Sequence, residues 1–251
     1  MTKENFKSFV KSINLFEVVW LSLTIASLIV LSVLFPDVMF EDRSNTFVVV
    51  CSMITIIFGP VVEVLISKQC RWWTMISLFF VELLQCVVYI NMKLYSSALI
   101  NILFWVPVDI ITFIKWGKNK DKERKDMTEV KTLGTKGNII ALVVMCAVGF
   151  LLGFIYKLLP NSEISYIIAF SNVFEVSNGI FLLTRHDEQW IACFGCLVCD
   201  TIIWVMLGHY IMLITVFSIM INTIYGYVKW KLYIKKSKLI SLTAKRVEVE
   251  A

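Results

Sequence analysis

Apolar and polar positions alternate along this chain on a scale of about twenty residues. Eight apolar runs stand out, each closed by a short polar or charged stretch. They cover Leu15–Phe35, Thr46–Ser67, Trp72–Ile90, Ser96–Ile114, Asn138–Leu159, Ile164–Thr184, Gln189–Leu207 and Tyr210–Val228. A helix of about 20 apolar residues crosses the ~30 Å hydrocarbon layer of a bilayer, and it satisfies its backbone hydrogen bonds internally, as lipid demands. The pattern predicts an all-α integral membrane protein with eight transmembrane helices. The first run is too long for the apolar part of a secretory signal, and no small-residue cleavage site follows it, so it is expected to persist as a helix.

Charge placement orients these helices. With the N-terminus in the cytoplasm, 21 of the 24 Lys and Arg residues fall on the cytoplasmic side, and only Arg43, Lys93 and Lys157 fall outside. Basic residues are retained in cytoplasmic loops, so a plasma-membrane protein with both termini inside is expected. Composition points the same way. Apolar residues make up 58% and charged residues 17% of the 251, and mean hydropathy is +0.77. A soluble domain carries about 25% charged residues. The net charge of +5 sits in loops and ends, which suits anionic lipid rather than nucleic acid. The longest polar stretch, 117–137 with its KNKDKERKD run, reads as a solvated linker, and Lys229–Arg246 as a solvated basic tail.

A weak internal repeat changes the topological picture. Phe58-x-x-Val61-x-Glu63-Val64 recurs as Phe170-x-x-Val173-x-Glu175-Val176, and Ile110-x-x-Phe113-x-Lys115-Trp116 recurs as Ile224-x-x-Tyr227-x-Lys229-Trp230. The first pair links helices 2 and 6, the second helices 4 and 8. Helices 2–4 and 6–8 would then be two units of one orientation, joined by helix 5, with helix 1 outside the duplicated core. The expected segments are 1–45 (N-terminal segment and peripheral helix), 46–116 (first three-helix unit), 117–159 (basic loop and linker helix), 160–230 (second unit) and 231–251 (basic tail). Gly149-x-x-x-Gly153 in helix 5 is a close-packing motif, expected to wedge that helix between the units.

Ionisable groups in lipid are costly, by about 2.5–3.5 kcal/mol on insertion scales, and therefore mark function or buried pairing. Here they are acidic: Glu17, Glu63, Glu82, Asp109, Glu175 and Asp200. Glu17 lies near a helix end and is expected at the membrane interface. Glu63 and Glu175 are gate or coupling candidates, including for protons. Asp109 follows Pro107, whose missing N–H frees the Leu103 carbonyl. Asn101, Asp109, Trp190, Asp200, Asn222 and Tyr225 are the substrate-binding candidates, an acidic and amide-rich set suited to a cation or a donor-rich solute. Trp72, Trp73, Trp116, Trp190 and Trp230 lie near helix ends, where an interfacial belt is the default reading. Trp105, Trp204 and Tyr225 lie deeper, where rings can sandwich a flat cation. Cys193, Cys196 and Cys199 share one helix without a neighbouring His and read as packing residues, not a metal or redox site. No nucleotide-binding loop, dinucleotide fingerprint or hydrolase motif occurs, and no catalytic residue, cofactor or metal is expected.

Three stretches resemble the PnuC-type vitamin transporters. Leu94-Tyr95-Ser-Ser-Ala98-Leu99-Ile-Asn101, followed by Pro107 and Trp116, is similar to that family's helix 4. Arg185-His-Asp-Glu188-Gln189-Trp190 is similar to its R…EQW stretch. Ile221-Asn222-Thr-Ile-Tyr225-Gly226-Tyr227-Val-Lys-Trp230 is close to its INxxYGYxxW. The resemblance spans roughly residues 55–232. It implies a three-plus-one-plus-three plan related to the SWEET sugar transporters, with an added N-terminal helix. It also implies facilitated uptake of nicotinamide riboside, trapped by a cytoplasmic kinase. Departures fall in the implied pocket: Cys193 and Leu197 stand where the family has Trp and Asn, Asp109 where it has Gln, Thr112 where it has Gly, and Asp200 where it has a small residue. A cationic vitamin such as thiamine is the alternative substrate, and a non-transporting sensor or assembly subunit is the alternative class. The partners expected are the small-molecule substrate, the bilayer, the kinase and, in an oligomer, further copies of the chain.

Overall fold

The structure is a computed structural model and describes residues 13–36, 45–91, 95–121, 127–158, 165–208, 210 and 212–250. Arg43, Lys93, His209, positions 122–126 of the charged run and the lysines before residue 12 lie outside the described residues. Eight helices are long and apolar enough to cross a membrane. They are α1 (Leu15–Leu34), α2 (Thr46–Ser67), α3 (Trp73–Asn91), α4 (95–118), α5 (Gly134–Lys157), α6 (Ser165–Thr184), α7 (Gln189–Met206) and α8 (Met212–Glu250). Among the described residues the only β structure is two isolated bridges, Lys120 with Thr128 and Lys131 with His186. The boundaries follow the apolar runs closely except at the end. There α8 runs on through the basic tail, because nothing between Lys229 and Glu250 breaks a helix.

Local chemistry sets the ends. Asn14 and Glu17 form a capping box on α1, and Asn45 accepts from the backbone of Phe47 and Val48 to start α2. At the other end α2 and α6 stop in the same way. Gln69 (φ 57°) and Arg185 (φ 65°) turn left-handed, and the next residue's N–H returns to a carbonyl five back: Cys70 to Leu65 at 3.0 Å, His186 to Phe181 at 2.9 Å. Measured from these turns, Glu63 lies six residues in and Glu175 ten residues in. The matching sequence motifs thus run one helical turn out of step with the helix ends, and the two glutamates sit at depths about 6 Å apart.

Two helices are locally wide. In α3 the turn Leu78–Glu82, and in α4 the turn Asn101–Trp105, are π-helical, closed by Leu83 N–H to Leu78 O and Val106 N–H to Asn101 O. In α4 the cause is at hand: Pro107 has no N–H to give to the Leu103 carbonyl, so the ladder slips there. The two wide turns face each other.

The packing order is specific. α6 packs on α7 and α7 on α8; α2 packs on α3 and α3 on α4. The two sets meet where α2 touches α8 and where α4 touches α6. α1 lies against α2 and α8, and α5 lies along α6. Gly149 and Gly153 lie under the rings of Phe170 and Tyr166, so the small-residue motif joins α5 to α6 rather than wedging it between both sets.

Three expectations are corrected at the end of the bundle that carries most of the basic residues. Trp73, Trp116, Trp190 and Trp230 do not form an interfacial belt. They are at most 2% exposed and pack in a row with ring centroids 5.5–6.1 Å apart, Trp73–Trp116 and Trp190–Trp230 edge to face and Trp116–Trp230 tilted. Each such pair adds about 0.5–1.5 kcal/mol beyond burial. Trp116 Nε1 donates to the Leu182 carbonyl (2.8 Å) and Trp230 Nε1 to that of Ile66 (3.2 Å), so each set anchors a tryptophan on the other. Glu17 is buried, not interfacial: Lys68 Nζ (2.8 Å), Lys229 Nζ (2.6 Å) and the Tyr225 hydroxyl (2.9 Å) all donate to it. Nor is the linker solvated throughout. Thr128 N–H donates to the Gln69 carbonyl and Lys131 N–H to the Arg185 carbonyl, while Thr132 and the Leu133 N–H donate to Glu188, so 127–133 straps the two left-handed turns together.

Candidate functional site

Between the two sets runs a row of polar groups supplied by six helices. From α2, Glu63 accepts from Asn222 Nδ2 of α8 (3.4 Å). Beside Asn222, Thr223 lies 3.4 Å from Cys193 Sγ of α7. Two turns further along α7, Asp200 accepts from the Ser171 hydroxyl of α6 (2.6 Å) and from Cys196 Sγ (3.7 Å). Glu175, one turn along α6 from Ser171, accepts from Trp105 Nε1 of α4 (3.2 Å). Glu82 of α3 lies within Coulombic reach of Glu175 and of Asp109 on α4, and takes the Ser77 hydroxyl at 3.4 Å. The wide turns matter here, since they carry Glu82, Asn101 and Trp105.

Five carboxyl groups on five helices therefore share one interior. No Lys or Arg among the described residues bonds to any of them; the ion pairs go to Glu17 and Asp187 instead. Asp109 is the extreme case, 0% exposed; the Ser77 hydroxyl lies near it but is turned to Glu82, and neither Asp109 oxygen makes a well-formed hydrogen bond among the described residues. A carboxyl buried in this way is satisfied by a proton or by a positively charged ligand. Asn222, 1% exposed, keeps its carbonyl oxygen unbonded as well. Among the described residues no group of His, Cys, Asp and Glu is arranged to hold a metal ion.

Of the residues expected in the site, Asp109, Asp200, Asn222, Glu63 and Glu175 fall on this row, and Asn101 is buried in the wide turn beside it. Trp190 lies toward the basic end, its ring over Gly226 and against Trp230; it also lines a cavity of about 200 Å³ with Phe194 and Thr223. Tyr225 faces the other way. Its ring stacks on Phe16 at 4.4 Å and its hydroxyl meets Glu17 and Asn14, so it joins α1 to α8. Glu82, Ser77, Ser171 and Thr223 join the row without being among the residues expected in the site. Glu82 carried a signal, as an acid within an apolar run; the small hydroxyls carried none. Of the three cysteines, Cys193 and Cys196 act as packing groups within the row, and all seven are free thiols.

At the basic end, the R…EQW stretch is structural. Asp187, fully buried, pairs with Lys231 at 2.6 Å, and burial raises its pKa. His186 is pushed down from 6.5 to about 4, first by burial and then by the Lys131 charge.

Eight membrane-length helices, five of which bring a carboxyl without a basic partner among the described residues into one interior, define a multi-pass membrane protein. Residues 49–232 match the family model for the nicotinamide mononucleotide transporter, and the chain belongs to that family: it is a transporter, not an enzyme. The fold is that of a crystal structure of the vitamin B3 transporter PnuC, with a TM-score of 0.71 at 18% identity, covering 94% of this chain and 99% of that one. Among curated proteins, no sequence matches.

Proposed function

We propose that the chain facilitates uptake of nicotinamide riboside, or a close pyridine-nucleoside relative, across the plasma membrane with both termini in the cytoplasm. The units are 46–116 and 160–230, joined by 117–159, with 1–45 peripheral and 231–251 a basic tail. The single observation that carries this reading is the row of five carboxyls with no basic partner. Nicotinamide riboside carries a fixed pyridinium charge, so an interior of this sign attracts it without titration of the ligand. Asp109, Glu175 and Asp200 supply the attraction, with Glu63 and Glu82 at the flanks. Asn222 and Asn101 offer amide groups to the carboxamide and ribose, and Trp105, tethered to Glu175, offers a ring face to the pyridinium. Trp190 bounds the site on the basic side. Trapping follows when a cytoplasmic kinase phosphorylates the imported nucleoside, because the phosphorylated product meets the same acids with the wrong sign.

The test is thermal stabilisation of detergent-purified protein by nicotinamide riboside, thiamine, riboflavin and deoxynucleosides. A ligand at a hundredfold excess over its Kd stabilises the folded state by about 2.7 kcal/mol. A shift with nicotinamide riboside supports the reading. A shift with thiamine alone moves the assignment to another cationic vitamin, and a shift only with neutral nucleosides overturns it.

A further inference from the structure

α1 and α5 occupy comparable positions outside the two sets but are seated differently. α1 is drawn onto α8 by polar contacts in its first half. Trp20 Nε1 donates to the Ser218 carbonyl (3.0 Å), Thr24 and Ser218 share a hydrogen bond (2.5 Å), and Glu17 takes Lys229. α5 packs along α6 but stands off from α4. The gap it leaves is a cavity of about 420 Å³ between α4, α5 and α6. Its walls are almost wholly apolar, among them Phe104, Val148 and Leu152, with Tyr156 and Asn172 bonded to each other at 3.1 Å on one side. Glu175 is the one ionisable carboxyl or amine in the lining. That same carboxyl belongs to the central acidic row, within Coulombic reach of Asp200 and Glu82.

We infer that the cavity between α4, α5 and α6 is a second binding site, selective for lipophilic organic cations, and that its occupant weakens substrate binding through Glu175. The size suits an organic ligand, since small-molecule sites occupy about 300–1,000 Å³. The walls select an apolar body and the single carboxyl selects positive charge. A neutral acyl chain satisfies the walls but leaves Glu175 only the Trp105 hydrogen bond and a proton, whereas a lipophilic cation matches the walls and the carboxylate charge together. A cation there also offsets the field that one member of the row exerts on the central site. By linkage each ligand then lowers the other's affinity by the same factor. The inhibitory part of this inference rests on the proposed central site; binding to the cavity does not.

Tetraphenylphosphonium is the probe, with tetraphenylmethane-like neutral isosteres for comparison. Its binding is read by thermal shift on the full chain, wild type against Val148→Trp, which puts an indole into the cavity and obstructs it, and Glu175→Gln, which removes the charge. Leu152→Trp replaces Val148→Trp if that variant does not fold. The expected result is a shift by the cation that is abolished in the Trp variant and weakened about tenfold in E175Q, while nicotinamide riboside still stabilises the Trp variant. Added cation should raise the apparent Kd of nicotinamide riboside several-fold in wild type and not in the Trp variant. Stabilisation by the cation that survives the Trp substitution overturns the site, since the cation is then elsewhere. Equal stabilisation by the neutral isostere overturns the charge selectivity and leaves a lipid crevice. If the cation binds as expected but nicotinamide riboside gives no shift in any variant, the side site stands and the substrate assignment falls.

Discussion

Two lysines and a tyrosine converge on Glu17, a carboxyl that is 2% exposed. Lys68 is nearly as buried, at 4%, whereas Lys229 is 30% exposed. Removing one member of a buried pair leaves the other charge without compensation and costs about 3–5 kcal/mol. Glu17→Gln should therefore lower the Tm in detergent markedly, and Lys229→Gln much less, because Lys229 keeps access to solvent and headgroups. Equal, small effects would mean that the Glu17 pairing does not hold α1 in place. None of this pairing was legible in the sequence, since the partners lie 51 and 212 residues away and a lone Glu near a helix end looks interfacial. His186 makes a second residue-scale case. Its pKa lies near 4 when folded against 6.5 in the open chain, so its neutral form stabilises the fold above about pH 6.5, and that stabilisation is lost as pH falls toward 4. Asp187, whose pKa is raised by burial, contributes in the opposite sense. Comparing Tm across pH 7 to 4.5 in wild type and His186→Gln isolates the imidazole: the variant should lose less stability on acidification, and parallel curves would contradict the assignment.

Helix α5 shows what the glycine motif does. A Cβ at Gly149 would come 2.6 Å from the Phe170 ring, and one at Gly153 would press into Tyr166. Forcing atoms into such a contact costs about 1–3 kcal/mol. Gly153→Ala should be destabilising by that order, whereas Gly59→Ala in α2, where no atom lies within 4 Å of the added carbon, should be neutral or stabilising. Thermal unfolding of the two variants checks it; equal behaviour would mean that α5 rides loosely on α6. The eight helices were readable in number and place, with bounds within about four residues except at the C-terminal end of α8, because lipid imposes one periodicity-independent requirement, length of apolar run. The wide turns in α3 and α4 were not. Pro107 hinted at one of them, but a π turn at Leu78–Glu82 depends on what faces it. The tryptophan row is not legible in the sequence for a related reason: a Trp near a helix end has the same spacing whether it meets headgroups or other indoles.

At the scale of the whole molecule, the basic end and the interior have divided roles. The basic end is closed by the four tryptophans, the 127–133 strap and the Glu17 and Asp187 ion pairs, so it concentrates the structure's polar ties. The interior keeps acids without counter-charges. That an acidic interior existed was legible, because six acids within apolar runs are costly and all have one sign. That five of them line one row and the sixth, Glu17, serves the scaffold required the packing of α1 against α2 and α8. The measurement that bears most directly on the central claim is the equilibrium Kd of nicotinamide riboside for purified wild type and for the Asp109→Asn, Asp200→Asn double variant. Both substitutions keep size and one acceptor oxygen, enough for the Ser171 hydroxyl on residue 200, while removing two of the five carboxyls. An acidic row that binds a pyridinium predicts an affinity loss of tenfold or more, about 1.4 kcal/mol, with Tm largely retained. An unchanged Kd in a folded double variant would contradict it.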